Sequence, residues 1–219
     1  GGHGTAMGGV VVESGRFNWA GTGKFPFVAG EDEAYHGLAF SETFGDFGFT
    51  MKAKAVGLRD LGPALSPQNA FLILTGIETL PLRMERHVAN ARAVAAFLAE
   101  HPAVAWVSYA GLPSSPFHEL AGRYLPRGSG SVFTFGVRGG FAAGVRVVES
   151  VELWSHLANV GDTRSLILHP ASTTHRQLSD EERLAAGAGP DVIRLSVGIE
   201  DVADLIADLD RALGAVAEG

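Results

Sequence analysis

Two long stretches repeat apolar residues at the spacing of one helix face. Met84, Val88, Ala91, Ala95 and Leu98 form the first, which His101 and Pro102 end; Val202, Leu205, Ile206, Leu209 and Leu213 form the second, over Asp201 to Leu213. Upstream of the first, Ser66 and Pro67 read as a helix start, with the hydroxyl capping a free N–H and the ring already near helical φ. That helix carries Ala70, Phe71, Leu74 and Ile77 on one face. Pro81 then removes a backbone donor and should kink or interrupt the rod. A domain boundary is expected here, dividing the chain into residues 1–81 and 82–219.

Between the two long helices, short apolar runs alternate with helical ones. Val104 to Tyr109, Ser131 to Val137, Ser165 to Leu168 and Val192 to Val197 read as strands, and His118 to Tyr124 and Ala142 to Ser150 as helices. Ser179 with Glu182 makes a capping box for one more short helix. The order predicts an α/β layer of three or four strands backed by helices. Val10, Val11 and Val12 predict a further short, buried strand entered through glycines. From Phe17 to Phe49 no period holds. Seven of the thirteen phenylalanines lie there with Trp19 and Tyr35, which predicts an ordered loop pinned by aromatic anchors, because apolar density this high is not the composition of disorder.

Composition narrows the class. The 219 residues, 46% hydrophobic, suffice for one large or two small domains with a real core. No run approaches the roughly 18 apolar residues of a membrane span. The absence of cysteine rules out disulfides, thiol catalysis and thiolate metal sites. A net charge of −7 argues against a nucleic-acid partner. No internal repeat or low-complexity stretch is present.

Few residues look chemically committed. Arg194 lies inside a strand that otherwise reads as core, so it either faces solvent or is paired, since a buried unpaired guanidinium is costly. Its planar fork suits a carboxylate. Asn159, shortly before Gly161, reads as a turn former. His169 and His175 are six apart, which is not the spacing of two ligands on one helix face, and no metal site is expected. His3 reads as a loop residue. Gly2, Gly4 and Gly8 miss the dinucleotide-binding spacing and precede a strand where that motif follows one. Glu181 and Glu182 read as a solvated helix turn, and no Gly-x-Ser-x-Gly elbow occurs.

Two motifs at opposite ends resemble one family. Gly1-Gly2-His3 is similar to the segment that follows the cofactor lysine in the pyridoxal-phosphate enzymes of cysteine and methionine metabolism, where Ser-x-x-Lys-x-x-Gly-Gly-His is usual. Ile193-Arg194-Leu195-Ser196-Val197-Gly198-Ile199-Glu200-Asp201 resembles their C-terminal signature. Pro67 to Ala70, Gly76 to Thr79, Leu82 to His87, Asn90 to Ala91, Tyr109, Gly111 and Leu112 match in the same order. Ser155 to Asp162 and His169 to His175 resemble the O-acetylhomoserine sulfhydrylase branch, as does the aromatic segment with Tyr35-His36-Gly37-Leu38.

The resemblance implies the C-terminal part of a fold-type I enzyme: the end of the large cofactor-binding domain in residues 1–81 and a small α/β domain in 82–219. It implies pyridoxal 5'-phosphate as cofactor and γ-replacement of O-acetylhomoserine by sulfide to give homocysteine and acetate, in methionine biosynthesis. Arg194, with Asn159 and the backbone at Val160, is implied to hold the substrate α-carboxylate. The Schiff-base lysine falls three positions before Gly1, and Lys24, Lys52 and Lys54 lack its context. The chain therefore reads as a C-terminal fragment, inactive without the N-terminal half, in a cytoplasmic homo-oligomer for which the family suggests a tetramer. Cystathionine γ-synthase, γ-lyase and O-succinylhomoserine sulfhydrylase remain alternatives within the family, and a non-catalytic oligomerisation or binding module outside it.

Overall fold

The structure, a computed structural model, describes residues 1–217. The chain forms two compact units. One runs over Ala6–Leu74, and the other joins Gly1–Thr5 to the chain from Thr75 onward. Compactness thus divides the chain at Thr75, before the boundary expected at Pro81, and returns the first residues to the second unit.

Helix α5 (Leu80–Glu100) follows α4 (Pro67–Glu78) after a break at Thr79, so the rod is interrupted as the proline suggests. Pro81 sits in the first turn of α5, where its missing N–H deprives no carbonyl of a partner. At the far end of α4, Ser66 Oγ accepts the amide of Asn69 at 3.1 Å, the expected cap. The face carrying Phe71, Leu74 and Ile77 is exposed in this chain.

Strands β3 (Val104–Ser108), β4 (Val132–Val137), β5 (Ser155–His156), β6 (Leu166–Leu168) and β7 (Val192–Ser196) form one sheet in the order β3-β4-β7-β6-β5. All pairings are antiparallel except β5 with β6. The sheet has five strands where the sequence predicts three or four. The addition is β5, whose two residues are too short to leave an alternation. Helices α5, α7 (Gly140–Ser150) and α9 (Val202–Ala217) share one buried cluster with Phe133, Phe135, Ile193, Leu195 and Val197. Leu205, Leu209 and Leu213 are wholly enclosed, each contributing about 1.5–3 kcal/mol by burial. Two short helices complete the unit, α6 (His118–Tyr124) and α8 (Asp180–Ala185), the latter with the expected reciprocal Ser179–Glu182 capping box.

The first unit is less loop-like than expected. It contains α1 (Pro26–Ala29), α2 (Phe40–Phe44), α3 (Gly48–Lys52), a π-helical stretch over Ala53–Asp60, and a ladder of β1 (Glu31–Asp32) with β2 (Leu38–Ala39). Helices of four or five residues are too short to show a period. Rings do pin the segment: Trp19 stacks on Phe49 with centroids 5.2 Å apart, and Phe17 and Phe25 meet Trp19 edge-on. The buried strand expected at Val10 to Val12 is not formed. These residues are 76–86% exposed, because β-branched composition fits a pleated surface only where a partner strand supplies one.

Among the described residues no helix is long and apolar enough to cross a membrane. One buried carboxylate ties α9 to the end of α7. Asp208, 7% exposed, accepts the amides of Glu152 at 3.0 Å, Leu153 at 2.8 Å and Trp154 at 3.2 Å, and also pairs with Arg211. Burial pushes this carboxyl up, but the three amides and the guanidinium outweigh it and hold it below the usual aspartate range. A carboxyl with a depressed folded pKa adds stability that is complete above its unfolded value and is lost as pH falls through the folded one. Asp208→Asn should therefore destabilise the fold by roughly 1.5–3 kcal/mol near neutrality. The gap between variant and parent should narrow below about pH 4, as thermal unfolding across pH would measure.

Candidate functional site

Alternation along β7 decides what each residue meets. Ile193, Leu195 and Val197 enter the helix-covered cluster, so Arg194 and Ser196 take the opposite face of the sheet. Arg194 is half-buried and stands in register between Thr134 of β4 and Leu168 of β6. Its Nη2 donates to the backbone carbonyl of Asn159 at 3.3 Å. Among the described residues no ion pair includes it. A guanidinium partly withdrawn from water and bonded to a neutral carbonyl retains donors and full charge, the two things a bidentate carboxylate requires.

The structure therefore brings Arg194 and Asn159 together, through the asparagine's backbone. The Asn159 side chain builds the turn: Oδ1 accepts the amide of Val160 at 2.8 Å, and Nδ2 donates to Asp162 Oδ2 at 3.4 Å. The side chain thus forms the expected turn, while the backbone carbonyl meets Arg194. The Val160 amide is engaged by that oxygen, so it becomes free for a ligand only when the Asn159 amide turns away; the Val160 side chain is exposed.

Asp162 holds the far side of this turn. It is buried and accepts the Arg164 amide at 3.1 Å and Arg164 Nε at 3.2 Å. Burial pushes its carboxyl up, and the bonds from Arg164 and Asn159 more than offset this and keep it low. Thr163 ties the turn to the first residues of the chain and to the segment after β7: its amide donates to the Gly2 carbonyl at 2.8 Å, and its carbonyl accepts the Ile199 amide at 2.9 Å. Gly2 and Gly4 adopt φ of 78° and 65°, the left-handed backbone that favours glycine.

Sequence reasoning missed the residues that hold this arrangement. Ser165 is fully buried. Its amide and hydroxyl both donate to the Glu200 carboxylate, at 2.6 and 2.8 Å, and its Oγ accepts the Gly198 amide at 2.7 Å. From α5, His87 Nδ1 donates to the Val197 carbonyl at 2.6 Å, and Asn90 Nδ2 donates to the carbonyls of Gly198 and Glu200 at 3.1 and 2.9 Å. Two polar residues one helical turn apart on an otherwise apolar stripe, His87 and Asn90, were the available signal.

The other candidates separate from this cluster. Burial lowers the pKa of His169, whose ring is used at both nitrogens: Nε2 donates to the Pro190 carbonyl at 2.9 Å and Nδ1 accepts from Ser172 at 3.0 Å. His175 bonds Thr174, and His3 bonds the Gly1 carbonyl. Among the described residues no group of three or more His, Asp or Glu is arranged for a metal ion. Lys52 belongs to the other unit, ion-paired with Asp32 and lying over the rings of Phe27 and Phe40; Lys24 and Lys54 are exposed there.

Over residues 1–214 the chain matches the family described as Cys/Met metabolism PLP-dependent enzyme, and it belongs to that family. It is 51% identical over 213 residues to O-acetyl-L-homoserine sulfhydrylase 1 of Thermus thermophilus, and 50% identical over 214 residues to homocysteine synthase of Schizosaccharomyces pombe. Each alignment covers 97% of this chain and 50% of the relative, so the chain spans about half the length of the curated relatives it matches. A solved Campylobacter jejuni structure, described as a candidate O-acetylhomoserine (thiol)-lyase with a pyridoxyl-lysine monophosphate, superposes with a TM-score of 0.82 at 40% identity. The match covers 90% of this chain and 46% of that one. The fold is thus that of the C-terminal part of a fold-type I pyridoxal-phosphate enzyme. The residues present fit the cofactor unequally: Lys52 is ion-paired with Asp32 and Lys24 and Lys54 are exposed, whereas Arg194 fits the carboxylate of an amino-acid substrate.

Gly198 makes the arrangement possible by close approach. A β-carbon there would collide with the Glu200 carboxylate and with the backbone of Thr163 and Arg164. Because backbone cannot yield as a side-chain tip can, Gly198→Ala should cost about 1–3 kcal/mol. Urea unfolding would register it as a lower midpoint with unchanged slope.

Proposed function

We propose that the chain supplies the substrate-carboxylate site of a pyridoxal-phosphate-dependent γ-replacement enzyme that makes homocysteine and acetate from O-acetylhomoserine and sulfide. The observation that carries this is Arg194: a half-buried guanidinium in the middle of a sheet, oriented by a carbonyl and lacking an ion-pair partner among the described residues. The relatives named O-acetylhomoserine sulfhydrylase and homocysteine synthase support the choice of substrate.

In this reading Arg194 binds the α-carboxylate through two parallel charge-assisted bonds. Asn159 closes the site, its carbonyl fixing the guanidinium and its amide releasing the Val160 N–H to the substrate. The arginine orients and does not transfer a proton; a clamped carboxylate fixes how the substrate presents its Cα–H. Pyridoxal phosphate, when bound, supplies the electron sink for the chemistry at Cα and beyond. Its covalent lysine lies in the remaining half of the enzyme, with which this chain acts as one molecule. Residues 1–81 close the large cofactor domain and 82–219 form the small domain. The complete enzyme is cytoplasmic, works in methionine biosynthesis, and assembles as a homotetramer.

The test is substitution in the complete enzyme. Two charge-assisted bonds at about 1.5–3 kcal/mol each place the loss in kcat/KM for Arg194→Ala at roughly 10²–10⁴-fold. The bound cofactor's visible absorption should be unaltered. Arg194→Lys should recover little of that loss, because an ammonium cannot reproduce the planar fork. Near-normal turnover of the alanine variant would refute the assignment, and a preference for cysteine over sulfide would move the enzyme to the cystathionine branch.

A further inference from the structure

We infer that Glu200 is a positioning residue for the carboxylate site, acting through Ser165 on the loop that orients Arg194. The inference rests on the carboxylate reading of Arg194 given above.

The loop from Leu157 to Arg164 joins β5 to β6 and carries Asn159. Its middle is lightly held: Leu157 and Val160 are exposed, and Asn159 bonds only within the turn and to Arg194. Where the Asn159 carbonyl sits therefore depends on how the end of the loop is anchored. Thr163 supplies part of that anchor through Gly2 and Ile199, and Ser165, which is enclosed and fully bonded, supplies the rest. Its carbonyl accepts the Ser155 amide of β5 at 2.9 Å, its hydroxyl accepts the Gly198 amide beyond β7, and its own two donors end on Glu200. Glu200 is itself fixed, because Asn90 of α5 binds its carbonyl.

A carboxylate is the group this geometry needs. Two donors from one residue converge on two oxygens, and only an ionised carboxylate presents two acceptors without a proton between them. An amide in its place would turn its NH₂ toward one of the donors. The buried Ser165 hydroxyl would then lose its acceptor, and the loop would shift by the few tenths of an ångström that a 3.3 Å hydrogen bond to Arg194 does not tolerate. Glu200 touches neither Arg194 nor Asn159 directly, so its influence on substrate is through position alone.

The test is a double-mutant cycle in the complete, cofactor-loaded enzyme. Glu200→Gln should raise KM for O-acetylhomoserine about tenfold while kcat and KM for sulfide stay within about twofold. Spectroscopic titration with L-norleucine, which has the carboxylate but no leaving group, should show Kd rising by the same factor. Titration with pentylamine, the same chain without the carboxylate, should be unchanged. In the Arg194→Ala background the added Glu200→Gln should change kcat/KM by less than about twofold. Ser165→Ala removes the hydroxyl half of the same contact from the other side and should reproduce the split if Glu200→Gln yields too little folded enzyme. A crippled Arg194→Ala enzyme in which Glu200→Gln costs an equal further factor, or a Glu200→Gln loss shared by sulfide and pentylamine, would overturn this inference alone. Near-normal Arg194→Ala turnover would overturn the carboxylate reading and this inference with it.

Discussion

A strand at the centre of a sheet has two faces with opposite demands, and β7 meets both. Ile193, Leu195 and Val197 are drawn into the cluster under α5, α7 and α9, which fixes the register of the strand, since a slip of one residue would expose all three. The same alternation leaves no freedom for Arg194. It must emerge on the other face, between Thr134 and Leu168. The hydrophobic core therefore aims the guanidinium, at no cost beyond what the core already requires.

Aim alone does not make a site; the guanidinium must also be held at a definite depth. The loop after β5 does this with a backbone carbonyl, and that loop is in turn secured by buried polar bonds at Asp162, Ser165 and Glu200. Polar groups in such positions are tolerated because each finds a partner. Gly198 allows the Glu200 carboxylate and the Thr163–Arg164 backbone to converge on one point.

Much of this was legible in the sequence, and the omissions follow a physical pattern. The long helices α5 and α9 appear as apolar periodicity, and the helices and strands from Val104 to Ser196 fall within a few residues of their expected positions. Arg194 stood out because a charge interrupted an apolar run. What periodicity could not report was pairing. It overread Val10 to Val12, which have the composition of a strand without a partner, and it passed over β5, which has a partner but only two residues. The clamp of Ser165 and Glu200 escaped for a related reason. Its two residues lie 35 positions apart in irregular backbone, where no pattern links a donor to its acceptor.

Lys52 is wholly and Arg194 partly withdrawn from water, and the difference between these two cations bears on where an anion can bind. Lys52 is enclosed by the faces of Phe27 and Phe40 and paired with Asp32, whose carboxyl that hydrogen bond holds low. Its charge is already answered, and an incoming anion would have to displace an ion pair from a ring cage. Arg194 keeps its charge unanswered beside a neutral carbonyl. Desolvation of an uncompensated cation is unfavourable, and a bound carboxylate relieves it while gaining two short hydrogen bonds. The free energy that burial withholds from Arg194 is thus returned when a carboxylate binds. In the proposed reading that makes Arg194, and not the more deeply buried Lys52, the residue that receives the substrate's acid group.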